Sequence, residues 1–200
     1  MKRRLKLIMG LIFIQSMNFS CVKVDGISYS KRIVPFPAEV KRDRTPWAFR
    51  LNLDERPRTL VLALNRDLWV TYDTENSGLH RAWTGGVNFN GIVFNNMHGV
   101  QPNSIGLPYI EDGLKRSTWS VTEDGTARRV ETEYDGYHLK DDTVIIRYRV
   151  PLDGDRVAMV EERPEFVRSS HGEPGLHREF EVRDLPKGYQ LSLSVMVKHL

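Results

Sequence analysis

Beyond Pro46 no stretch of this chain carries apolar residues at the 3.6-residue spacing of a helix. It is a succession of short runs rich in Val, Ile, Leu, Thr and aromatics, each closed by a turn signal. Arg58–Leu64 and Leu68–Asp73 flank Asn65-Arg66-Asp67 and predict a hairpin over 58–73. Asn76-Ser77-Gly78 predicts the next turn, and Leu79–Trp83 alternates apolar and polar residues. Residues 118–121 and 127–134 flank Glu-Asp-Gly, and Asp135-Gly136 and Lys140-Asp141-Asp142 are two further turn signals. Thr143–Val150 is the strongest strand, followed by strands over 156–162, 176–182 and 190–197. Strands at this spacing imply an all-β fold, an antiparallel β-sandwich. The chain ends while still strand-like, so either a C-terminally truncated architecture or a further attached module is expected.

Residues 84–108 break the rhythm. They read as an irregular loop, with glycines between 85 and 106 and prolines at 102 and 108. A connection of this length is usually functional or ordered by its own packing. Trp83, Asn88, Asn90, His98 and Gln101 are ligand-binding candidates in or beside it, because aromatic rings stack on sugar CH faces and carboxamides bond hydroxyls. For Trp83 core packing is the stronger single-residue reading, and for His98 a hydrogen bond that orders the loop. Asp73 is a further candidate, although capping the turn at 73–78 explains it more simply. Trp69 and Tyr72 are an odd number of positions apart, which on a strand places them on opposite faces, one core and one outward.

The N-terminus has another character. Lys2-Arg3-Arg4-Leu5-Lys6 precedes the apolar run 7–17, too short to cross a bilayer core of about 30 Å, so residues 1–20 read as a signal peptide. Ser20 before Cys21, the single cysteine, resembles a lipoprotein cleavage site and makes Cys21 the lipidation candidate. One cysteine forms no intrachain disulfide. Residues 21–45, with Pro35 and Pro37, form a tether, and 46–200 the sandwich domain. The chain is expected to be exported, to the periplasm or as an outer-membrane lipoprotein, with membrane contact only through the lipid.

Charge narrows the partners. The formal net charge is +3, from 29 basic and 26 acidic residues. Lys2, Arg3, Arg4 and Lys6 lie in residues 1–20, which hold no acid; without them 25 bases face 26 acids, a charge of −1. The domain has no basic footprint for nucleic acid. There is no C-x-x-C-H, H-E-x-x-H, P-loop, dinucleotide-binding glycine pattern or G-x-S-x-G. None of His80, His98, His138, His171, His177 and His199 pairs at helical metal spacing. No catalytic residue, metal or cofactor is assigned to this chain.

Pro46-Trp47-Ala48-Phe49-Arg50, Ala63-Leu64-Asn65, Leu68-Trp69-Val70, Trp83–Phe89 and His98-Gly99-Val100-Gln101-Pro102 resemble the N-terminal module of large exported c-type cytochrome proteins of Bacteroidetes-like bacteria. Those proteins are often joined to sugar-dehydrogenase-like domains. The resemblance spans about sixty residues, and the strands beyond it are similar in style to β-supersandwich domains associated with carbohydrate. It implies an accessory module that binds glycan or docks a cytochrome or dehydrogenase domain. Haem c would belong only to a further C-terminal domain, since the attachment motif is missing here. Two other readings stand beside it: a carbohydrate-active enzyme domain with its site in 84–108, and a purely structural lipoprotein domain.

Overall fold

A computed structural model of the chain describes residues 3–5, 46–90, 99–111 and 119–194. His98, Cys21 and the tether over 21–45 lie outside the described residues, as do the last six of the chain. Among the described residues thirteen strands follow in order: β1 (Arg3–Leu5), β2 (Trp47–Leu53), β3 (Arg56–Asn65), β4 (Leu68–Asp73), β5 (Gly78–Asn88), β6 (Asn103–Glu111), β7 (Trp119–Glu123), β8 (Thr126–Arg129), β9 (Glu133–Lys140), β10 (Thr143–Pro151), β11 (Val157–Arg168), β12 (Pro174–Arg183) and β13 (Tyr189–Leu193). Sheet A has the order β1-β12-β11-β10-β9, sheet B β2-β3-β4-β5-β6, and the small sheet C β13-β7-β8. Every strand pairing is antiparallel. Sheets A and B face each other across one apolar core, with Trp119, Val121 and Tyr189 of sheet C packed into it. The fold is an antiparallel β-sandwich.

Short polar side chains build the turns. Asp67 N–H donates to Asn65 Oδ1 at 3.2 Å. Asp73 Oδ1 accepts from the backbone N–H groups of Glu75 and Asn76 at 2.9 and 3.3 Å, the capping expected of it. Asp54-Glu55 and Asp141-Asp142 each take positive φ at both positions (50° and 63°, 49° and 57°), the tight turn whose twist matches its strands. Asp135-Gly136, read as a turn, instead lies within β9. There Gly136, at φ 109°, coincides with a register shift opposite Arg147 and Tyr148, so the glycine serves a bulge. The single strand read over 127–134 divides into the end of β8 and the start of β9.

A charged group sits at the centre of the sandwich. Glu162 on β11 is fully buried and receives Arg178 Nε and Nη2 from β12 at 2.6 and 3.0 Å. Its other lone pairs accept Tyr148 O–H from β10 at 3.0 Å and Tyr72 O–H from β4, in the opposite sheet, at 2.5 Å. Burial disfavours the Arg178 charge, but Glu162 outweighs it and the net direction is up. Burial first, and Glu162 second, push both phenols well above their ordinary value.

The outer face of sheet B is also apolar. Leu51, Leu53, Val61, Ala63, Trp69, Trp83 and Val87 form a second buried cluster. Trp69 and Tyr72 do face opposite sides, but neither is outward: they are 4% and 1% exposed. The cover comes from β5 and β6. Trp47, Ala63, Trp69 and Trp83 form one cross-strand row. From that row Asp54 lies seven residues along β2, and Val87 four residues along β5 in the opposite direction. On a flat sheet they would stand about 36 Å apart at roughly 3.3 Å per residue. Yet Ser104, the partner of Val87, donates its N–H and its O–H to the Asp54 carboxylate, both at 2.8 Å. The hairpin therefore folds back over the outer face of sheet B.

Replacing Glu162 by Gln leaves the Arg178 charge buried without its counter-ion, and a loss of about 3–5 kcal/mol is expected in urea unfolding. A loss under 1 kcal/mol would show that the pair is dispensable. The raised phenols also set a pH dependence. The folded chain keeps protons that the unfolded chain releases near pH 10, so their contribution is complete below about pH 10 and declines above it. The expected slope is about 1.4 kcal/mol per pH unit for each phenol. Unfolding titrations between pH 9 and 11.5 check it, and Tyr72→Phe should remove one phenol's share of the slope.

Candidate functional site

The hinge of the fold-back is a pair of glycines. Gly85 and Gly106 are cross-strand partners with φ of 123° and 117°. A Cβ on Gly85 would sit 2.1 Å from Ile105 O, and one on Gly106 1.8 Å from Thr84 O. Neither space nor backbone admits another residue. Just before the hinge, Trp83 Nε1–H donates to Gly86 O at 2.9 Å, and the indole packs 6.1 Å from Trp69. Beyond it, Phe89 returns to within 5.4 Å of Phe49 on β2. The segment read as an irregular loop over 84–108 is thus strand to Asn88 and again from Asn103.

Where the folded-back arm meets the β2–β3 turn there is an open cleft of about 530 Å³, lined by Asp54, Glu55, Gly99, Val100, Gln101, Pro102 and Asn103. Its frame is hydrogen-bonded. Asp54 N–H donates to Pro102 O at 3.1 Å, and the buried Asn52 donates Nδ2–H to Gln101 Oε1 at 3.3 Å. Asn52 Oδ1 accepts Arg58 N–H at 3.4 Å, and Gln101 Nε2–H reaches Gly99 O at 3.4 Å. Besides its two bonds from Ser104, the Asp54 carboxylate takes Arg81 Nη1 at 3.4 Å. Asp54 is thereby a fastening, already engaged on both oxygens. Among the described residues, the Glu55 carboxylate, the Asn103 amide, whose Nδ2–H also donates to Ser104 O at 3.2 Å, and the Val100 side chain, which is 71% exposed, face solvent.

The sequence candidates separate under this geometry. Gln101 lines the cleft. Trp83 is 0% exposed and offers no face for stacking; burial under the arm makes it core rather than a surface platform. Asp73 is buried and ion-paired with Arg56, close to the β2–β3 turn but outside the cleft lining. Asn88 is half-buried, its Oδ1 accepting Asn90 N–H at 3.0 Å; Asn90 is exposed, and neither lines the cleft. Asn52, Asp54, Glu55, Asn103 and Ser104 were not singled out by sequence reasoning. Asp54-Glu55 between two β-runs was the one available signal, and it announces a turn, not a cleft.

Among the described residues no three His, Cys, Asp or Glu side chains are placed to hold a metal ion. A second polar cluster, between sheet C and the β10–β11 turn, closes on itself: Tyr189 O–H donates to Asp153 at 3.3 Å and accepts Arg156 Nη2 at 2.6 Å, while Arg128 pairs with Asp153 at 2.9 Å. Hydrogen bonding to Glu123, then burial, pushes the Tyr189 phenol up to about 12. Comparison of the chain with protein-family models, curated proteins and solved structures returned no match.

Gly85→Ala is expected to cost on the order of 1–3 kcal/mol through backbone strain and to lift the arm. Hydrogen exchange at Ser104 and red-shifted Trp83 and Trp69 emission would report the lifting. Unchanged protection and emission would show that the hinge tolerates a side chain.

Proposed function

We propose that this chain is an exported, non-catalytic β-sandwich module that binds carbohydrate in the cleft between Asp54-Glu55 and Gly99–Asn103. One observation carries the reading. The cleft combines an acceptor without an ion-pair partner among the described residues (Glu55), carboxamides (Gln101, Asn103) and an exposed apolar side chain (Val100) on a frame hydrogen-bonded from both sides. Hydroxyls take bonds from the Asn103 carboxamide and give them to the Glu55 carboxylate, while the CH face of a sugar lies on Val100. A volume of about 530 Å³ falls in the ordinary range of small-ligand sites. Because the frame is already fastened, little conformational freedom is lost on binding. The resemblance of Trp47–Pro102 to the cytochrome-linked module supports a setting beside a c-type cytochrome or sugar-oxidising protein of the envelope. The basic and apolar segment over residues 1–20 supports export, and Cys21 a lipid anchor.

Calorimetry against neutral and uronic-acid oligosaccharides tests the reading. Binding should weaken about tenfold in Asn103→Ala and in Glu55→Gln, the loss of one hydrogen bond of about 1.4 kcal/mol. Trp83→Phe, remote from the cleft surface, should leave affinity unchanged if the domain stays folded. Absence of binding to every sugar and to a c-type cytochrome would sink the proposal and leave a structural role.

A further inference from the structure

The cleft has two walls, and they belong to different parts of the fold. Asp54 and Glu55 stand on the β2–β3 turn, in the body of sheet B. Residues 99–103 lead into the arm, which is formed by residues 86–88 of β5 paired with 103–105 of β6, beyond the Gly85–Gly106 hinge. The two walls are joined at a few named points. Asp54 N–H donates to Pro102 O at 3.1 Å, Asn52 Nδ2–H to Gln101 Oε1 at 3.3 Å, and Ser104 gives both its N–H and its O–H to Asp54 at 2.8 Å. Val87, 1% exposed, adds an apolar contact to the cluster that holds Trp69 and Trp83.

The cleft therefore exists only while the arm is down. Lifting at the hinge carries Asn103 away from Glu55, parts Ser104 from Asp54 and withdraws Val87 from its cluster. A ligand touching both walls binds the arm-down form alone, so its binding energy bears on the position of the arm. Ser104 is placed to govern that position. It does not line the cleft, but it is the neighbour of Asn103, and its partner Asp54 is the neighbour of Glu55. The Ser104–Asp54 latch thus sets the gap between the two groups that meet a ligand.

We propose that the arm is a clamp. A sugar in the cleft ties Asn103 to Glu55 and holds the arm against the outer face of sheet B, with Ser104 as the positioning residue. The proposal rests on the carbohydrate reading above and adds its regulation. Latch and hinge, neither of them touching the sugar, set the affinity, and occupancy of the cleft is felt at the stacked Trp69–Trp83 pair as burial. Apparent affinity falls in proportion to the fraction of molecules with the arm down, so an arm raised in about nine molecules of ten weakens binding about tenfold.

Calorimetry and tryptophan emission on the full chain test this, with a neutral and a uronic-acid tetrasaccharide as probes. Gly85→Ala, which raises the arm, should weaken binding at least about threefold and red-shift the emission, and saturating sugar should return the emission to that of the parent chain. Ser104→Ala should move affinity and emission in the same directions, so it carries both readouts if Gly85→Ala does not fold. Ser104→Thr keeps the hydroxyl and should bind as the parent does. A merely structural Ser104 would lower the melting temperature and leave the affinity of the folded protein unchanged. Parent-like affinity in both alanine variants would overturn the clamp and leave the carbohydrate reading standing. Emission that stays red-shifted in saturating sugar would overturn it too. If neither probe binds the parent chain, the clamp falls together with the carbohydrate site on which it rests.

Discussion

The sandwich is held in register by one carboxylate. Glu162 draws Arg178 and Tyr148 from its own sheet and Tyr72 from the facing one, so four strands in two layers converge on two oxygen atoms. An apolar interface between two sheets tolerates sliding, since one Leu–Val contact replaces another at small cost. A buried carboxylate does not, because any shift leaves a charge or a phenol without its partner in a medium of low dielectric. Such a group adds little net stability over an apolar substitute. Its contribution here is positional: it selects one alignment of β4 against β10, β11 and β12.

That alignment leaves sheet B with a second apolar face, and the chain closes it with its own hairpin. The Gly85–Gly106 hinge turns the far half of β5 and β6 back, Val87 drops into the second cluster, and Asp54, braced by Arg81, fastens the arm through Ser104. The cleft is a by-product of this closure. It lies where the arm meets the β2–β3 turn, and two of its polar lining side chains, Asp54 and Gln101, also hold the arm in place.

Much of the strand and turn plan was legible. The 58–73 hairpin, the Asp-Gly and Asp-Asp turns and the cap at Asp73 follow from local chemistry, because φ > 0 and Asx bonding are properties of single residues and their neighbours. The Asp135-Gly136 bulge reads as a turn in the sequence because a bulge and a turn both ask for glycine, and only the partner strand distinguishes them. The candidate site was legible in part. Gln101 lines the cleft, but Trp83 is interior, and the odd spacing of Trp69 and Tyr72, which correctly separated their faces, said nothing of what covers each face.

The sequence by itself determined an all-β chain, antiparallel pairing through short turns, an N-terminal segment of different character and the absence of the familiar motifs for haem attachment and phosphate binding. Those are properties of residue type and of spacing over a few positions. Only the tertiary structure decided that Glu162 and Arg178 are a buried pair, that Gly85 and Gly106 meet, and that Ser104 reaches Asp54 fifty positions away. Each depends on two distant residues arriving at one place. Along a strand every Glu, Arg or Gly carries the same local pattern whether its partner waits in the facing sheet or in water.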